Sequence, residues 1–183
     1  MYDNVLILPG LYNSGPMHWQ SRWGVLHPEM QRVNQADWET PSFDDWASVL
    51  EAAVAAQKKE PVLVGHSSAC ALVARWAGHT RHRVKGALLV GPSDVDAPSY
   101  PTGPTGFGPM PLDPIPFPTI VVTSDDDPYV TLERARYFAE RWGSDLVVVP
   151  GAGHLNSDSN LGDWPAGLDL VDRLRGLVPS SST

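Results

Sequence analysis

The sequence predicts an α/β fold with a mostly parallel central sheet of about six strands and helices on both faces, in three layers. One observation behind this prediction is that short apolar runs bounded by turn residues alternate with longer segments of helical periodicity. The other is composition, since 42% of the 183 residues are hydrophobic and 19% are charged, as in packed globular proteins. A chain of this length suits one domain, so residues 1–183 are expected to form a single unit.

The first third of the chain already shows the alternation. Val5–Leu8 is an apolar run ended by a Pro-Gly pair, which predicts a buried strand. Met17–Leu26 is expected to be a helix and Gln31–Asn34 a short edge strand. Phe43–Gln57 carries apolar residues at helical spacing, and Ser42 in front of it is the expected N-cap.

The remainder of the chain continues in the same way. Val62–Val64 predicts a central strand, and the alanine-rich segment Ser68–Ala77 predicts a helix directly after it. Three further apolar runs predict strands at Ala87–Val90, Ile120–Thr123 and Leu146–Val149. Helical spacing predicts helices at Leu132–Trp142 and Leu168–Leu177. Strands joined through helices in this order are typical of a parallel sheet.

The segment 91–118 departs from the alternation. It is crowded with prolines and glycines and cannot sustain a helix or a central strand. A loop of this length is either a mobile surface excursion or a wall or lid over a binding site, and the sequence leaves both open. The tail Pro179–Thr183 is expected to fray.

Charge and cysteine content exclude several classes of protein. The net charge of −8 does not favour a nucleic-acid backbone or an anionic membrane surface as partner. The single cysteine, Cys70, allows no internal disulfide and no cysteine-based zinc cluster, which fits a reducing compartment. The chain shows neither a signal-peptide pattern at its start nor an apolar run of transmembrane length. The expected location is the cytoplasm.

The strongest motif is Gly65-His66-Ser67-Ser68-Ala69, between a predicted strand and a predicted helix. This is a G-x-S-x-A version of the nucleophile elbow, in which a sharp turn exposes the serine hydroxyl at the carboxyl end of the sheet. Strand and helix nearly touch there, so the flanking positions must be small; Ala69 replaces the commoner glycine. Ser67 is the candidate nucleophile, and the backbone N–H of Ser68 is a candidate oxyanion donor.

A serine nucleophile needs a general base, and this fold places the acid and the histidine downstream of it. His154 follows a predicted strand through a glycine-rich turn, from which it can reach the nucleophile. His79 and His82 come at the end of the helix after the elbow. They are expected to cap its negative end rather than to bind a metal.

Three adjacent aspartates, Asp125, Asp126 and Asp127, follow a strand and could each supply the acid. Asp127 is preferred because the following proline stiffens its backbone, while the other two are expected in a solvated turn and helix N-cap region. The loop after the first strand contributes the Leu11 backbone N–H as a second expected oxyanion donor. That loop lacks a P-loop lysine and G-x-G-x-x-G spacing, so it is not a phosphate cradle.

With these motifs in place, the chain resembles the small serine hydrolases of the retinoblastoma-binding-protein and YdeN type in the α/β-hydrolase superfamily. The resemblance rests on four segments: Leu8-Pro9-Gly10 with Ser14 and His18-Trp19-Gln20, Gly65-His66-Ser67-Ser68, Ser124 to Val130, and Gly153-His154-Leu155-Asn156 leading to Gly162-Asp163-Trp164-Pro165. It implies a compact hydrolase without a helical cap, metal or cofactor, in which the aspartate before proline is the acid. The L-x-C-x-E protein-binding motif is absent.

The expected activity is hydrolysis of ester-like carbonyl substrates by Ser67, His154 and Asp127 through an acyl-enzyme, acting on a small-molecule acyl substrate. Tyr12 and His18 are candidate pocket residues, whereas Trp19 is expected in the core and His66 in a structural role. An amidase or thioesterase could use the same triad. A non-catalytic protein-binding module on the same scaffold is the alternative from another class. The oligomeric state is not predicted.

Overall fold

The computed structural model describes residues 1–177; the tail predicted to fray, Pro179–Thr183, lies outside the described residues. Six parallel strands form one sheet in the order β2-β1-β3-β4-β5-β6. The strands are β1 (Val5–Leu8), β2 (Gln31–Arg32), β3 (Val62–His66), β4 (Gly86–Val90), β5 (Thr119–Thr123) and β6 (Asp145–Val148). The helices are α1 (Trp19–Leu26), α2 (Phe43–Ala55), α3 (Ser68–Ala77), α4 (Leu132–Trp142) and α5 (Pro165–Arg175). The predicted fold class is confirmed.

Element boundaries differ from the predicted ones by a few residues, for local reasons. The strand β3 continues past the apolar run because Gly65 and His66 still pair with Leu89 and Val90 of β4. The edge strand β2 is only two residues long. The helix α5 starts three residues before the predicted Leu168, with Pro165 in its first turn, where a missing backbone N–H costs nothing.

Alternate residues of each strand point to opposite faces of the sheet, and each face is covered by its own helices. On one face, Leu63 and Leu89 belong to a core formed with α2, α3 and α4, represented by Leu50, Leu72 and Phe138. On the other face, Val64 and Leu88 pack in a second core that holds Trp19 and Trp23 of α1 and Val171 of α5. These two cores give the three layers. None of the helices within residues 1–177 has the length and apolar character to cross a membrane.

The proline-rich segment 91–118 contains no helix or strand of its own in the structure. Three of its apolar side chains, Phe107, Met110 and Ile115, are nonetheless buried in the first core. Thr105 bridges to Ser42 in front of α2. The segment is therefore anchored to the body of the protein, which favours the wall interpretation over a mobile excursion.

The first testable prediction concerns two helical glycines. A Cβ at Gly167 would meet ring atoms of Trp164 at 2.3, 2.5 and 2.7 Å, whereas a Cβ at Gly24 would meet nothing within 4 Å. Gly167→Ala is expected to lower the free energy of unfolding by about 1–3 kcal/mol through overpacking. Gly24→Ala, the matched control in α1, is expected to raise it by up to about 1 kcal/mol through helix propensity. Urea unfolding of both variants measures these changes. A change of the same sign in the free energy of unfolding of both variants would contradict the prediction.

Candidate active site

The nucleophile elbow has the geometry that its sequence predicts. Ser67 lies between β3 and α3 with φ 61° and ψ −123°, a strained conformation for a residue with a side chain. Its backbone N–H donates to the Val90 carbonyl at 2.9 Å. A Cβ at Gly65 would meet Ala69 at 3.5 Å, which is ordinary van der Waals contact. The alanine that replaces the commoner glycine therefore fits without displacing the turn.

The loop after β1 approaches the elbow so closely that only glycine fits at position 10. A Cβ on Gly10 would lie 2.7 Å from the His66 carbonyl oxygen and 2.9 Å from Ser67 Cβ. Leu11, the next residue, and Ser68, the first residue of α3, both line the cavity in front of Ser67. The two backbone amides expected to bind an oxyanion thus come from segments that lie against each other.

The structure brings the three predicted side chains together. His154 Nε2 lies 2.9 Å from Ser67 Oγ. His154 Nδ1 lies 2.8 and 3.0 Å from the two carboxylate oxygens of Asp127. The Asp127 side chain has no solvent exposure, and its Oδ1 also accepts the backbone N–H of Tyr129 at 2.8 Å. A hydroxyl, an imidazole and a buried carboxylate therefore form one continuous hydrogen-bonded chain.

The other two aspartates of the triplet have a role that the sequence analysis missed. Asp125 Oδ1 accepts the backbone N–H of Gly151 at 2.8 Å, and Asp126 Oδ1 accepts that of Gly153 at 2.7 Å. The prediction that they belong to a helix N-cap region is wrong, because α4 is capped by Thr131. Both carboxylates instead tether the glycine-rich turn that carries His154.

Further contacts hold the same turn from its other side. His66 Nε2 lies 2.9 Å from the His154 carbonyl oxygen, which can only accept, so this nitrogen carries the His66 proton. Trp19 Nε1 donates to the Leu155 carbonyl at 2.8 Å. Burial, followed by the nearby His154 and His18, lowers the pKa of His66 well below its ordinary value. His66 is thus a neutral structural residue, and Trp19 is a core residue, as expected.

His18 packs edge-to-face against His66, and both rings line the cavity. The two ring centroids are 4.7 Å apart, and His18 Nδ1 accepts the Gln20 backbone N–H at 3.1 Å as the N-cap of α1. Burial lowers the pKa of His18 to about 3, and the charges of Arg32 and His154 add to this effect. His18 therefore stays neutral near physiological pH.

The cavity in front of Ser67 has a volume of about 460 Å³. Every predicted site residue contributes to its lining except Asp127, which lies behind His154. Tyr12 stands at the mouth, 64% exposed. The lining residues that the sequence analysis missed are Asn13, Gly15, Ser93, Tyr100, Pro101, Tyr129, Asn156, Ser157 and Asp158, and His66, expected only in a structural role, also contributes to the lining.

Two kinds of signal could have found the missed residues. Ser93, Tyr100 and Pro101 belong to the segment 91–118, whose length allowed a wall or lid as one of two interpretations but did not indicate which residues face the cavity. Asn156, Ser157 and Asp158 come shortly after the predicted base, where Asn156 caps a short 3₁₀ helix at Ser157–Ser159. Tyr129 packs its ring 4.6 Å from that of His154, a contact that residue spacing alone does not reveal.

His79 and His82, which follow the end of α3, do not line the cavity. His79 Nδ1 is 2.9 Å from the Arg75 carbonyl oxygen at the end of α3, consistent with the expected capping role. His82 pairs with Glu51 at 3.3 Å. Within the described part of the chain, no group of three or more histidine, cysteine or acidic side chains could hold a metal ion.

Comparison with known proteins identifies a family that matches the chain and solved structures that resemble it. A family described as serine hydrolase matches residues 5–173. A YdeN-like hydrolase from Pectobacterium atrosepticum is 28% identical with a TM-score of 0.84, and the match covers 96% of this chain and 92% of that chain. The ydeN gene product of B. subtilis is 20% identical with a TM-score of 0.71, over 94% and 98%. A thermophilic esterase from Thermogutta terrifontis is 17% identical with a TM-score of 0.69, over 94% and 89%. No curated protein sequence matches significantly.

The second prediction follows from the buried, neutral His18. Its folded-state pKa of about 3 is below its ordinary value of 6.5, so between these values the unfolded chain binds a proton that the folded protein does not. Stability should therefore fall as the pH is lowered from 6.5, by up to about 1.4 kcal/mol per pH unit from this residue. His18→Asn removes the titrating group and keeps an N-cap acceptor. Urea unfolding from pH 8 to pH 4 should show a shallower slope in the variant, and equal slopes would contradict the argument.

Proposed function

The chain belongs to the serine hydrolase family, and we propose that it hydrolyses ester-like carbonyl substrates through an acyl-enzyme, with Ser67 as nucleophile, His154 as general base and Asp127 as orienting acid. The observation that carries the proposal is the continuous hydrogen-bonded chain from Ser67 Oγ through the His154 imidazole to the Asp127 carboxylate. A hydroxyl becomes an effective nucleophile when a base of this kind accepts its proton.

In the first half-reaction, Ser67 Oγ attacks the substrate carbonyl carbon and its proton passes to His154 Nε2. Asp127 holds the Nδ1 proton, which selects the correct tautomer and stabilises the imidazolium that forms. His154 then delivers its proton to the leaving group. In the second half-reaction, His154 activates water, which attacks the acyl-enzyme and releases the acid.

The oxyanion is expected to accept hydrogen bonds from the backbone N–H groups of Leu11 and Ser68. The Ser68 amide is at the start of α3, where the unpaired N–H groups of a helix favour negative charge. Donors arranged in this way contribute roughly 2.7–4 kcal/mol each to transition-state stabilisation in comparable sites. Gly10 supports this role, because its lack of a side chain lets the Leu11 segment approach the elbow.

A preference for esters over amides or thioesters is part of the proposal. It is supported by the names of related structures, which include an esterase from Thermogutta terrifontis and a carboxylesterase from Bacillus subtilis. Both are under 25% identical to this chain and share its fold. The cavity of about 460 Å³ is of a size to accept a small-molecule acyl substrate.

The third prediction tests the nucleophile. A fluorophosphonate probe should label the wild-type protein at Ser67, and Ser67→Ala should remove both the labelling and the hydrolysis of p-nitrophenyl acetate. The variant should unfold at a temperature close to that of the wild type, because only one oxygen is removed. Intact-mass measurement after labelling reads the result. Absence of labelling in a folded wild type would refute the proposal and favour a non-catalytic binding module.

The fourth prediction tests which aspartate is the acid. Asp127→Asn should lower kcat by about 10³- to 10⁴-fold, because the amide N–H₂ cannot hold the Nδ1 proton and selects the wrong tautomer. Asp125→Asn and Asp126→Asn are matched comparisons, because their amide oxygens can still accept the Gly151 and Gly153 N–H groups. The fold-decrease in kcat should be at least a hundred times smaller in each of these two variants than in Asp127→Asn. A similar decrease in all three variants would argue against the assignment of Asp127.

A further inference from the structure

Ser93 contacts the reacting oxygen directly, and the mechanism above does not use it. Its Oγ lies 2.7 Å from Ser67 Oγ, closer than the 2.9 Å that separates Ser67 Oγ from His154 Nε2. Ser93 is 4% exposed and lines the cavity. A buried hydroxyl therefore shares a hydrogen bond with the nucleophile itself.

The acceptors around this group determine which hydroxyl donates. An ionised carboxylate can only accept, so His154 Nδ1, which faces both Asp127 oxygens, carries the proton of the neutral imidazole. Nε2 is then unprotonated, and the hydrogen between it and Ser67 Oγ belongs to Ser67. Ser67 has no second hydrogen to give. In the bond between the two hydroxyls, Ser93 must therefore be the donor.

Contacts on the adjoining residue hold Ser93 in place. The Asp94 backbone N–H donates to the Tyr129 carbonyl at 3.0 Å. The Asp94 carboxylate accepts from Arg134 Nε, on α4, at 2.8 Å. The start of the proline-rich segment is thus fixed to the loop that follows Asp127 and to a helix. A hydroxyl positioned in this way needs little reorganisation during the reaction.

We propose that Ser93 is a further catalytic residue, whose hydroxyl stabilises negative charge on Ser67 Oγ in both half-reactions. In acylation the Ser67 O–H bond breaks, the proton goes to His154 Nε2, and an electron pair of Oγ forms the bond to the carbonyl carbon while the C=O π pair moves to the carbonyl oxygen. The C=O bond then re-forms, and the leaving group departs with the electron pair of its bond to carbon and takes the proton from His154. In deacylation Oγ leaves with the electron pair of its bond to carbon and recovers a proton from His154. Ser93 keeps its own proton throughout and donates to Oγ each time.

The inference rests on the proposed function, and its test separates the two. Ser93→Ala should lower the rate constant of fluorophosphonate labelling and the kcat for p-nitrophenyl acetate by about 10- to 100-fold each, as expected for one hydrogen bond to a charged oxygen. KM should change less than threefold, because the bond acts on the nucleophile rather than on the bound substrate. The labelling rate measures only the attack of Oγ on the probe. A residue that only supports packing would not lower this rate while leaving KM nearly unchanged.

Two further variants complete the test. Ser93→Thr keeps a hydroxyl and should recover most of the labelling rate. Ser144→Ala removes one partner of another hydroxyl pair, which Ser144 forms with Thr119 at the opposite end of the sheet. This variant should be labelled at the wild-type rate. Wild-type labelling in folded Ser93→Ala, or equal losses in the alanine and threonine variants, would overturn the role of Ser93 and leave the proposed function standing. If the wild type itself neither labels nor hydrolyses ester, the proposed function fails first.

Discussion

The hydrogen bond between His154 Nδ1 and the Asp127 carboxylate is the interaction on which the site depends. It selects the tautomer that leaves Nε2 free to accept the Ser67 proton, and through that tautomer it also makes Ser93 a donor. His154 follows a turn that contains Gly151 and Gly153, both at positive φ, so its orientation has to come from contacts outside the turn. The two neighbouring aspartates, His66 and Trp19 supply those contacts, which explains why so many polar side chains surround one loop.

The parallel sheet makes this convergence possible. Paired positions at the carboxyl ends of the strands, such as His66 with Val90 and Thr123 with Val148, bring the following loops to one edge. Ligand and active sites of open α/β sheets form at this edge. The strained Ser67 backbone is tolerated there because β3 and α3 are buried on both sides of it. The packing of β3 and α3 thus offsets the local backbone strain at Ser67, which joins them.

Much of this arrangement could be predicted from the sequence, because it depends on local patterns. The elbow is encoded in five consecutive residues, and apolar runs locate five of the six strands of the sheet to within a few residues, while the short edge strand β2 has no such run. Asp127 could be preferred over Asp125 and Asp126, but the tethering role of those two was missed, since it depends on where the turn at 150–153 lies in space. Ser93 was missed for the same reason. Its segment has no regular structure, so its sequence does not indicate which side chain reaches Ser67 across 26 residues.

The proton path also constrains where the leaving group of the substrate lies in the cavity. In the proposed reaction His154 protonates the leaving group, so the leaving group must lie within reach of His154 Nε2, near Tyr129, whose ring packs 4.6 Å from that of His154. Another part of the lining belongs to the proline-rich segment, where the Tyr100 hydroxyl is 2.8 Å from that of Ser68, the residue expected to bind the oxyanion. The cavity is therefore bordered both by the proline-rich segment and by the turn at 156–158. The proline-rich segment also carries Ser93, whose hydroxyl contacts Ser67 Oγ, so the segment that borders the cavity is coupled directly to the hydrogen-bonded chain.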